Sequence, residues 1–141
     1  MSNSKPVKSP YKNRSVLIVD DQEFVLKIVS TMLENIGFGE IVSSRDGTEA
    51  LEKFSQSKPD LIICDINMKP MDGLEFVTKL KSGDYKGADN VPVIFLTGEV
   101  SQSLMTRAAD VGCDMFLLKP ISPHNLTDKI NQIFGSDTYK P

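Results

Sequence analysis

The sequence has few of the residues that form disulfides or metal centres built from sulfur and nitrogen. It contains two cysteines, Cys64 and Cys113, and one histidine, His124. Both cysteines stand among apolar residues, so we expect small, buried, reduced thiols of a cytosolic protein rather than a disulfide or a metal site. His124 lies at the start of the last predicted helix, where we expect a solvated side chain and not a phosphohistidine.

Signals for a membrane or a nucleic acid are also absent from the sequence. No apolar run approaches the roughly 18 residues that a membrane-spanning helix needs, and residues 1–13 lack the apolar centre of a secretory signal. The 16 basic and 19 acidic residues nearly balance, at a net charge of −3, which does not indicate a nucleic-acid-binding surface. We therefore expect a cytoplasmic protein that contacts neither a membrane nor a nucleic acid.

The length and composition indicate one globular domain. A chain of 141 residues can bury a sizeable core, and 40% hydrophobic with 25% charged residues is ordinary for such a domain. Residues 1–13 are rich in Ser, Lys, Pro and Asn without periodicity, so we predict a flexible N-terminal tail. We place the domain at residues 14–135 and a C-terminal tail at residues 136–141.

Short apolar runs alternate with segments whose apolar residues recur at helical spacing. The clearest run is Leu61 to Cys64, which enters Asp65 and a turn containing Pro70 and Gly73, as a strand buried on both faces would. The predicted strands cover residues 15–20, 40–43, 61–64, 91–97 and 115–118, and a helix follows each. This order predicts an α/β fold, a doubly wound five-stranded parallel sheet with five helices.

Helix-start signals support this division. Asp46 and Asp72 are each followed three residues later by a glutamate, which resembles a capping box. Ser122 followed by Pro123 is typical of the start of the last helix. Residues 81–90 are polar and contain two glycines, which predicts a surface loop.

Polar residues end four of the apolar strands. They are Asp20 and Asp21 after the first strand, Asp65 after the third, Thr97 at the end of the fourth and Lys119 after the fifth. In open parallel sheets, ligands bind in the crevice outside the carboxyl ends of the strands. An isolated acid pair would be read as a helix cap, but its register with Asp65 and Lys119 favours a shared site.

The charges at this edge predict a divalent cation and phosphoryl chemistry. Three converging carboxylates repel one another and raise each other's pKa values. Magnesium relieves that repulsion, since it prefers hard oxygen ligands. One carboxylate can then act as a nucleophile toward phosphorus, while Lys119 and the Thr97 hydroxyl hold the remaining phosphoryl oxygens.

With these motifs the chain resembles the receiver domain of two-component response regulators, of the single-domain chemotaxis type with a flavodoxin-like (βα)5 fold. The matching features, over about residues 14–134, are Asp20-Asp21, Asp65 in Asp-Ile-Asn-Met-Lys-Pro-Met-Asp-Gly, Thr97-Gly98 and Lys119-Pro120. The resemblance implies that a sensor histidine kinase or phosphotransfer protein phosphorylates Asp65.

The resemblance also implies a metal site and a cis peptide bond. Asp21, Asp65 and the backbone carbonyl of Asn67 would bind Mg²⁺ (or Mn²⁺) directly, with Asp20 acting mainly through water. The bond between Lys119 and Pro120 would be cis.

Further roles implied by the resemblance concern the output of the signal. Thr97 would move toward the phosphoryl group and Phe116 would swing inward behind it, which would repack the surface of the fourth helix, fifth strand and fifth helix. Phe116 lacks the hydroxyl of a tyrosine, so no hydroxyl-mediated recognition is expected there. Asn67 and Glu99 would tune the lifetime of the phosphorylated form, which we expect to be moderately short.

The expected partners of the chain follow from the same resemblance, and two alternative functions stand beside it. No room remains for a DNA-binding output domain beyond residue 134, so we expect noncovalent action, either as a single-domain regulator of a downstream protein or as a phosphate shuttle, with a phosphorylation-dependent dimer as one form. A fragment of a larger regulator or hybrid kinase is an alternative that the sequence leaves open. The chain would not be an enzyme except toward its own phosphorylation and dephosphorylation. One alternative is a degenerate receiver, a binding module that never takes phosphate. Another is a phosphatase of the haloacid dehalogenase type, whose Asp-x-Asp spacing differs from the adjacent Asp20-Asp21.

Overall fold

The computed structural model describes residues 9–113 and 115–135. Within them, five parallel strands form one sheet in the order β2-β1-β3-β4-β5. The strands are β1 (Ser15–Val19), β2 (Glu40–Ser44), β3 (Leu61–Asp65), β4 (Val93–Thr97) and β5 (Met115–Leu118), and the helices are α1 (Glu23–Ile36), α2 (Gly47–Ser57), α3 (Gly73–Leu80), α4 (Gln102–Asp110) and α5 (Pro123–Phe134). The predicted five-stranded, doubly wound α/β fold is confirmed.

The three inner strands are buried along their whole length. Every residue of β1, β3 and β4 is buried, whereas the edge strands β2 and β5 are partly exposed. Continuous apolar runs are suited to strands that are covered by helices on both faces. The continuous apolar run from Leu61 to Cys64, directly before Asp65, therefore agrees with the buried, central position of β3.

Alternate residues of each inner strand contribute to two separate cores. On β1, Leu17 and Val19 belong to a core that also receives side chains from α2, α3 and α4. Val16 and Ile18 belong to a second core with side chains from α1 and α5. Because side chains of a strand alternate between faces, one apolar run packs against both helical layers. Among the helices in the described part of the chain, none has the length and apolar character needed to cross a bilayer.

The helix starts follow the predicted caps with one difference. Asp72 and Glu75 form a complete capping box at α3, with hydrogen bonds of 2.8 and 3.1 Å. Asp46 accepts from the backbone N–H of Glu49 at 2.8 Å, but the Glu49 carboxylate accepts from the backbone of Arg45 instead of completing the box. Ser122 accepts from the N–H of Asn125 and begins α5.

The fourth strand and the loop before it differ from the sequence prediction. The strand begins at Val93 rather than at residue 91, with Pro92, which has no N–H for a ladder, directly before it. The segment predicted as a surface loop contains a 3-10 helix over Ala88–Asn90, and Ala88 is buried. Its apolar methyl group packs into the core beneath α3, which the polar composition of the segment obscured.

Part of the segment predicted as an N-terminal tail packs against the domain. Ser9 and Tyr11, assigned to a flexible tail, are buried, and Tyr11 is only 1% exposed. Burial of a large aromatic ring in an apolar pocket contributes a favourable free energy. This contribution opposes the loss of conformational entropy when the polar residues around the ring become ordered. Residues 1–8 of the predicted N-terminal tail and residues 136–141 of the predicted C-terminal tail lie outside the described part of the chain.

The turn from β3 into α3 brings two backbone segments into contact at Gly73. Its N–H donates to the carbonyl of Ile66 at 2.9 Å. A Cβ at position 73 would lie 2.3 Å from the carbonyl oxygen of Asp65 and 3.0 Å from the Cα of Ile66. Only glycine fits there without moving the backbone that carries Asp65.

We predict that Gly73→Ala destabilises the fold by about 2 kcal/mol, because the added methyl group overpacks against backbone. The matched control is Gly98→Ala, since no atom lies within 4 Å of the added Cβ at that position. The control should change the free energy of unfolding by no more than about 0.5 kcal/mol. Chemical denaturation of both variants measures the difference, and equal stability of the two would contradict the packing at Gly73.

Candidate functional site

Side chains from three strand ends meet at the carboxyl edge of the sheet. Asp20 directly follows β1, Asp65 is the last residue of β3 and Lys119 directly follows β5. The ammonium of Lys119 lies 3.0 Å from Oδ2 of Asp20 and 3.3 Å from Oδ1 of Asp65. The lysine therefore reaches across the edge of β4 to both carboxylates.

Asp21 completes a cluster of three acids. Carboxylate oxygens of Asp20, Asp21 and Asp65 all lie within 4.8 Å of one another. Asp20 is fully buried and accepts a hydrogen bond from the N–H of Gln22 at 2.9 Å. Oxygen donors at this spacing, with Asp21 partly exposed, suit a hard divalent cation that keeps some of its water. The residues therefore fit Mg²⁺ or Mn²⁺.

The environment of Asp65 opposes its ionisation. Burial, together with the charge of Asp20, raises the pKa of the Asp65 carboxyl above its ordinary value, although Lys119 and the backbone N–H of Asn67 act in the opposite direction. At Lys119, burial is outweighed by the hydrogen bonds and charges of Asp20 and Asp65, and the pKa of the ammonium is raised. The lysine is therefore cationic at neutral pH and partly compensates the negative charge of Asp20 and Asp65.

Cys64 lies between the core and Asp65. Burial and the nearby charge of Asp65 raise the pKa of its thiol well above the ordinary value. The thiol hydrogen bonds to the carbonyl of Asp65 at 3.3 Å. Both cysteines are buried thiols, as predicted.

Thr97 ends β4 at the same edge, but its hydroxyl serves the following loop. It donates to the carbonyl of Glu99 at 2.8 Å and accepts from the N–H of Glu99 at 3.2 Å. Thr97 is buried, whereas Glu99 is exposed. The structure thus places Thr97 at the predicted edge with its hydroxyl bonded to the backbone of the β4–α4 loop.

Two further residues named in the sequence analysis are Phe116, on β5, and Asn67, on the loop after β3. Phe116, on β5, is partly buried and its ring centroid is 6.0 Å from that of Phe95. Asn67 is exposed on the loop after β3, next to the carboxylate to which its backbone N–H donates. The bond between Lys119 and Pro120 is cis, as the resemblance implies.

The sequence analysis placed Gly73 in the turn after Asp65 but did not identify the close contacts that shape this loop. Met71 covers the start of α2, where a Cβ at Gly47 would lie 2.7 Å from its sulfur. Gly73 allows α3 to begin against the backbone of Asp65. The order Asp72-Gly73-Leu74 at a helix start was visible in the sequence, but a need for glycine depends on a backbone contact that residue types do not reveal.

A separate cavity lies at the opposite edge of the sheet. It has a volume of about 600 Å³ and is lined by residues that include Arg14, Asp60, Lys81 and Phe134. No member of the acidic cluster is among its lining residues.

Comparisons with known proteins agree with this geometry. A family model described as the response regulator receiver domain matches residues 16–131. The alkaline phosphatase synthesis transcriptional regulatory protein PhoP of Bacillus subtilis is 29% identical over 121 residues, which make up 86% of this chain and 48% of that protein. The chain thus spans about half the length of that relative.

Solved structures show the same fold. The chemotaxis protein CheY4 of Vibrio cholerae is similar with a TM-score of 0.80 and 32% identity, over 86% of this chain and 98% of that one. A complex of CheX and CheY with BeF3 and Mg from Borrelia burgdorferi contains a chain that is similar with a TM-score of 0.78 and 27% identity, over 86% of this chain and 89% of that one.

The raised pKa of Asp65 predicts how stability depends on pH without a divalent cation. The folded chain holds this proton more tightly than the unfolded chain, so the free energy of unfolding falls as the pH rises from about 4 through the raised pKa. The Asp65→Asn variant has no ionisable group at this position, so its free energy of unfolding does not fall in this way. In EDTA, we expect the variant to have a higher Tm than the wild type at pH 7.

The difference in Tm between the two proteins should vanish below about pH 4, where both states of the wild type hold the proton. Calorimetric scans across this range measure it. A variant that is less stable than the wild type at pH 7 would show that Lys119 stabilises the carboxylate by more than burial costs.

Proposed function

The chain belongs to the response regulator receiver domain family, and from this premise we propose that Asp65 accepts a phosphoryl group from a sensor histidine kinase or phosphotransfer protein. The observation that carries the proposal is the lysine ammonium 3.3 Å from Asp65 and 3.0 Å from Asp20. An acid, a second acid and a cation that meet in this way satisfy the needs of phosphoryl transfer, which are positioning and charge neutralisation.

In the proposed reaction, a carboxylate oxygen of Asp65 attacks the phosphorus of a phosphohistidine. An oxygen–phosphorus bond forms, the phosphorus–nitrogen bond breaks and its electron pair stays on the imidazole nitrogen. Lys119 then exchanges a carboxylate contact for a phosphoryl oxygen. Since the lysine remains charged at neutral pH, it acts against the effect of burial on Asp65 and favours the carboxylate form that the attack needs.

Asp20, Asp21 and Asp65 are the proposed protein ligands of Mg²⁺ or Mn²⁺, together with the backbone carbonyl of Asn67. The cation, when bound, neutralises charge on the incoming phosphoryl group. The spacing of the three carboxylates supports this assignment. The Borrelia burgdorferi complex of CheX and CheY contains both BeF3 and Mg, which supports it for a relative of this chain.

Phosphorylation is proposed to act on the surface formed by α4, β5 and α5. Thr97 would leave its bonds to the Glu99 backbone and turn to the phosphoryl group, and Phe116 would move inward behind it. Exposed apolar side chains, Val100 and Leu118, lie at the groove beside Phe116. This surface would bind a downstream protein or a second phosphorylated copy, in the cytoplasm and without contact to nucleic acid or membrane.

Asn67 and Glu99 are proposed to set the lifetime of the phosphorylated form. Both are exposed beside the loops that flank Asp65. Polar side chains there leave water a route to the acyl phosphate. The phosphorylated form should therefore be moderately short-lived.

Incubation with acetyl phosphate and Mg²⁺ tests the central step. Intact-mass measurement should show one added phosphoryl group on the wild type and none on Asp65→Asn. The matched control is Asp72→Asn, because Asp72 stands on the same loop and asparagine retains its capping role; this variant should be phosphorylated like the wild type. Lys119→Ala should slow phosphorylation by about 100-fold, the usual effect of losing one charge-stabilising group.

The same reaction distinguishes the alternatives. A wild type that gains no phosphate would support a degenerate receiver, and steady hydrolysis of a phosphate monoester would support a phosphatase. The decay of the phosphorylated protein after removal of the donor tests the lifetime assignment. If Asn67→Ala and Glu99→Ala both decay at the wild-type rate, that assignment is wrong.

A further inference from the structure

The segment Ser9–Arg14 precedes β1 and folds into turns against the amino edge of the sheet. The N–H of Lys12 donates to the carbonyl of Ser9 at 3.3 Å, and the N–H of Arg14 donates to the carbonyl of Tyr11 at 3.0 Å. Pro10, Lys12 and Asn13 are exposed, while Ser9 and Tyr11 are buried. The segment thus presents a polar outer side and one buried aromatic ring.

Tyr11 joins two elements that are far apart in the sequence. Its ring stacks on Phe38, just after α1, at a centroid distance of 5.0 Å and an angle of 12°. It also packs against Phe134, the last residue of α5, at 5.5 Å. Its hydroxyl donates to Oδ1 of Asn131 on α5 at 2.5 Å. One side chain therefore connects the end of α1 with the last turn of α5.

Arg14 strengthens the same connection. Its guanidinium lies over the ring of Phe134, 4.4 Å from the centroid, and 3.9 Å from the carboxylate of Asp60. Its carbonyl accepts from the N–H of Gly39 at 3.1 Å. Phe134 therefore receives both an aromatic contact from Tyr11 and a cation contact from Arg14.

Two glycines after α1 leave room for this segment. A Cβ at Gly37 would lie 2.4 Å from the Cβ of Ser9, and a Cβ at Gly39 would lie 2.0 Å from the carbonyl oxygen of Lys12. No other residue type would allow these two segments of the chain to approach so closely. The α1–β2 corner is therefore shaped to receive residues 9–14.

The helix that Tyr11 holds also carries part of the proposed output surface. Asn125, Asp128, Lys129 and Gln132 of α5 line the groove beside Phe116 and recur at the spacing of one helix face. Asn131 and Phe134 lie on a different face of the same helix, where Tyr11 contacts them. Because a helix moves largely as one body, contacts that fix the face with Asn131 and Phe134 also affect the position of the face that lines the groove.

We infer that residues 9–14 form an N-terminal clamp that sets the position of α5 and thereby the response of the output surface to phosphorylation. The clamp lies at the amino edge of the sheet and Asp65 lies at the carboxyl edge. The two edges are separated by the length of a five-residue strand, which is about 16 Å. Loosening the clamp should therefore spare the chemistry of Asp65. The part of this inference that concerns the response rests on the proposed function.

The test compares Tyr11→Phe and Tyr11→Ala with the wild type by native-state hydrogen exchange. Tyr11→Phe removes only the hydroxyl and keeps the ring stack, whereas Tyr11→Ala removes both. The matched control is Tyr85→Phe, because Tyr85 is a partly buried tyrosine that packs against the other core. All three variants and the wild type are studied as the full chain.

We expect amides of the last turns of α5 to exchange about 10-fold faster in Tyr11→Ala, with a smaller effect in Tyr11→Phe and none in Tyr85→Phe. The Tm of Tyr11→Ala should fall by about 10 °C. Unchanged protection of α5 in both Tyr11 variants would overturn the clamp. An equal loss of protection in β1, β3 and α5 would also overturn it, since that result indicates only global destabilisation.

A second measurement on the same variants addresses the output surface. With acetyl phosphate and Mg²⁺, Tyr11→Phe should gain phosphate like the wild type, while the shift of the Leu118 resonances on phosphorylation should be smaller. A shift equal to that of the wild type, in a variant whose α5 exchanges faster, would overturn the link to the response. If the wild type gains no phosphate, the proposed function fails, and hydrogen exchange still decides whether the clamp holds α5.

Discussion

The contact of Lys119 with two buried acids is the interaction on which the carboxyl edge of this domain depends. Asp20 is fully buried and Asp65 nearly so, and the lysine ammonium lies within 3.3 Å of both. Without that cation, two carboxylates would be buried against each other at a cost of several kcal/mol. One positive charge against three acids still leaves the cluster short of compensation, which favours a divalent cation there. The desolvation and charge repulsion that weaken the fold are thus the same features on which the proposed phosphoryl transfer relies.

Much of the fold and the grouping of the site could be predicted because both depend on patterns that are local in the sequence. Continuous apolar runs identified β1, β3 and β4, and parallel strands necessarily bring their carboxyl ends to one edge, so Asp20, Asp65 and Lys119 meet there. Contacts between distant segments could not be predicted in this way. Tyr11 looked like part of a polar tail, since its partners, Phe38 and Phe134, lie far along the chain. The need for glycine at position 73 likewise depends on the backbone of Asp65.

The two edges of the sheet carry different kinds of interaction. At the carboxyl edge, charged groups from three strands meet in a partly open site, and the hydroxyl of Thr97 is bonded to the backbone of its own loop. At the amino edge, aromatic rings and a guanidinium join the start of the chain to the end of α5. Under the proposed function, a change at the first site would act on the surface of α4, β5 and α5, while the contacts of Tyr11 and Arg14 would hold the last turn of α5 in place.

The most direct test of the central claim is a fluorine-19 spectrum of the chain with beryllofluoride, an analogue of the phosphoryl group, and Mg²⁺. If Asp65, its neighbouring acids and Lys119 form one phosphoryl and metal site, the wild type should give resonances of bound fluoride. These resonances should need Mg²⁺ and should be absent from Asp65→Asn. Bound resonances that persist in Asp65→Asn, or their absence from the wild type at saturating Mg²⁺, would contradict the account.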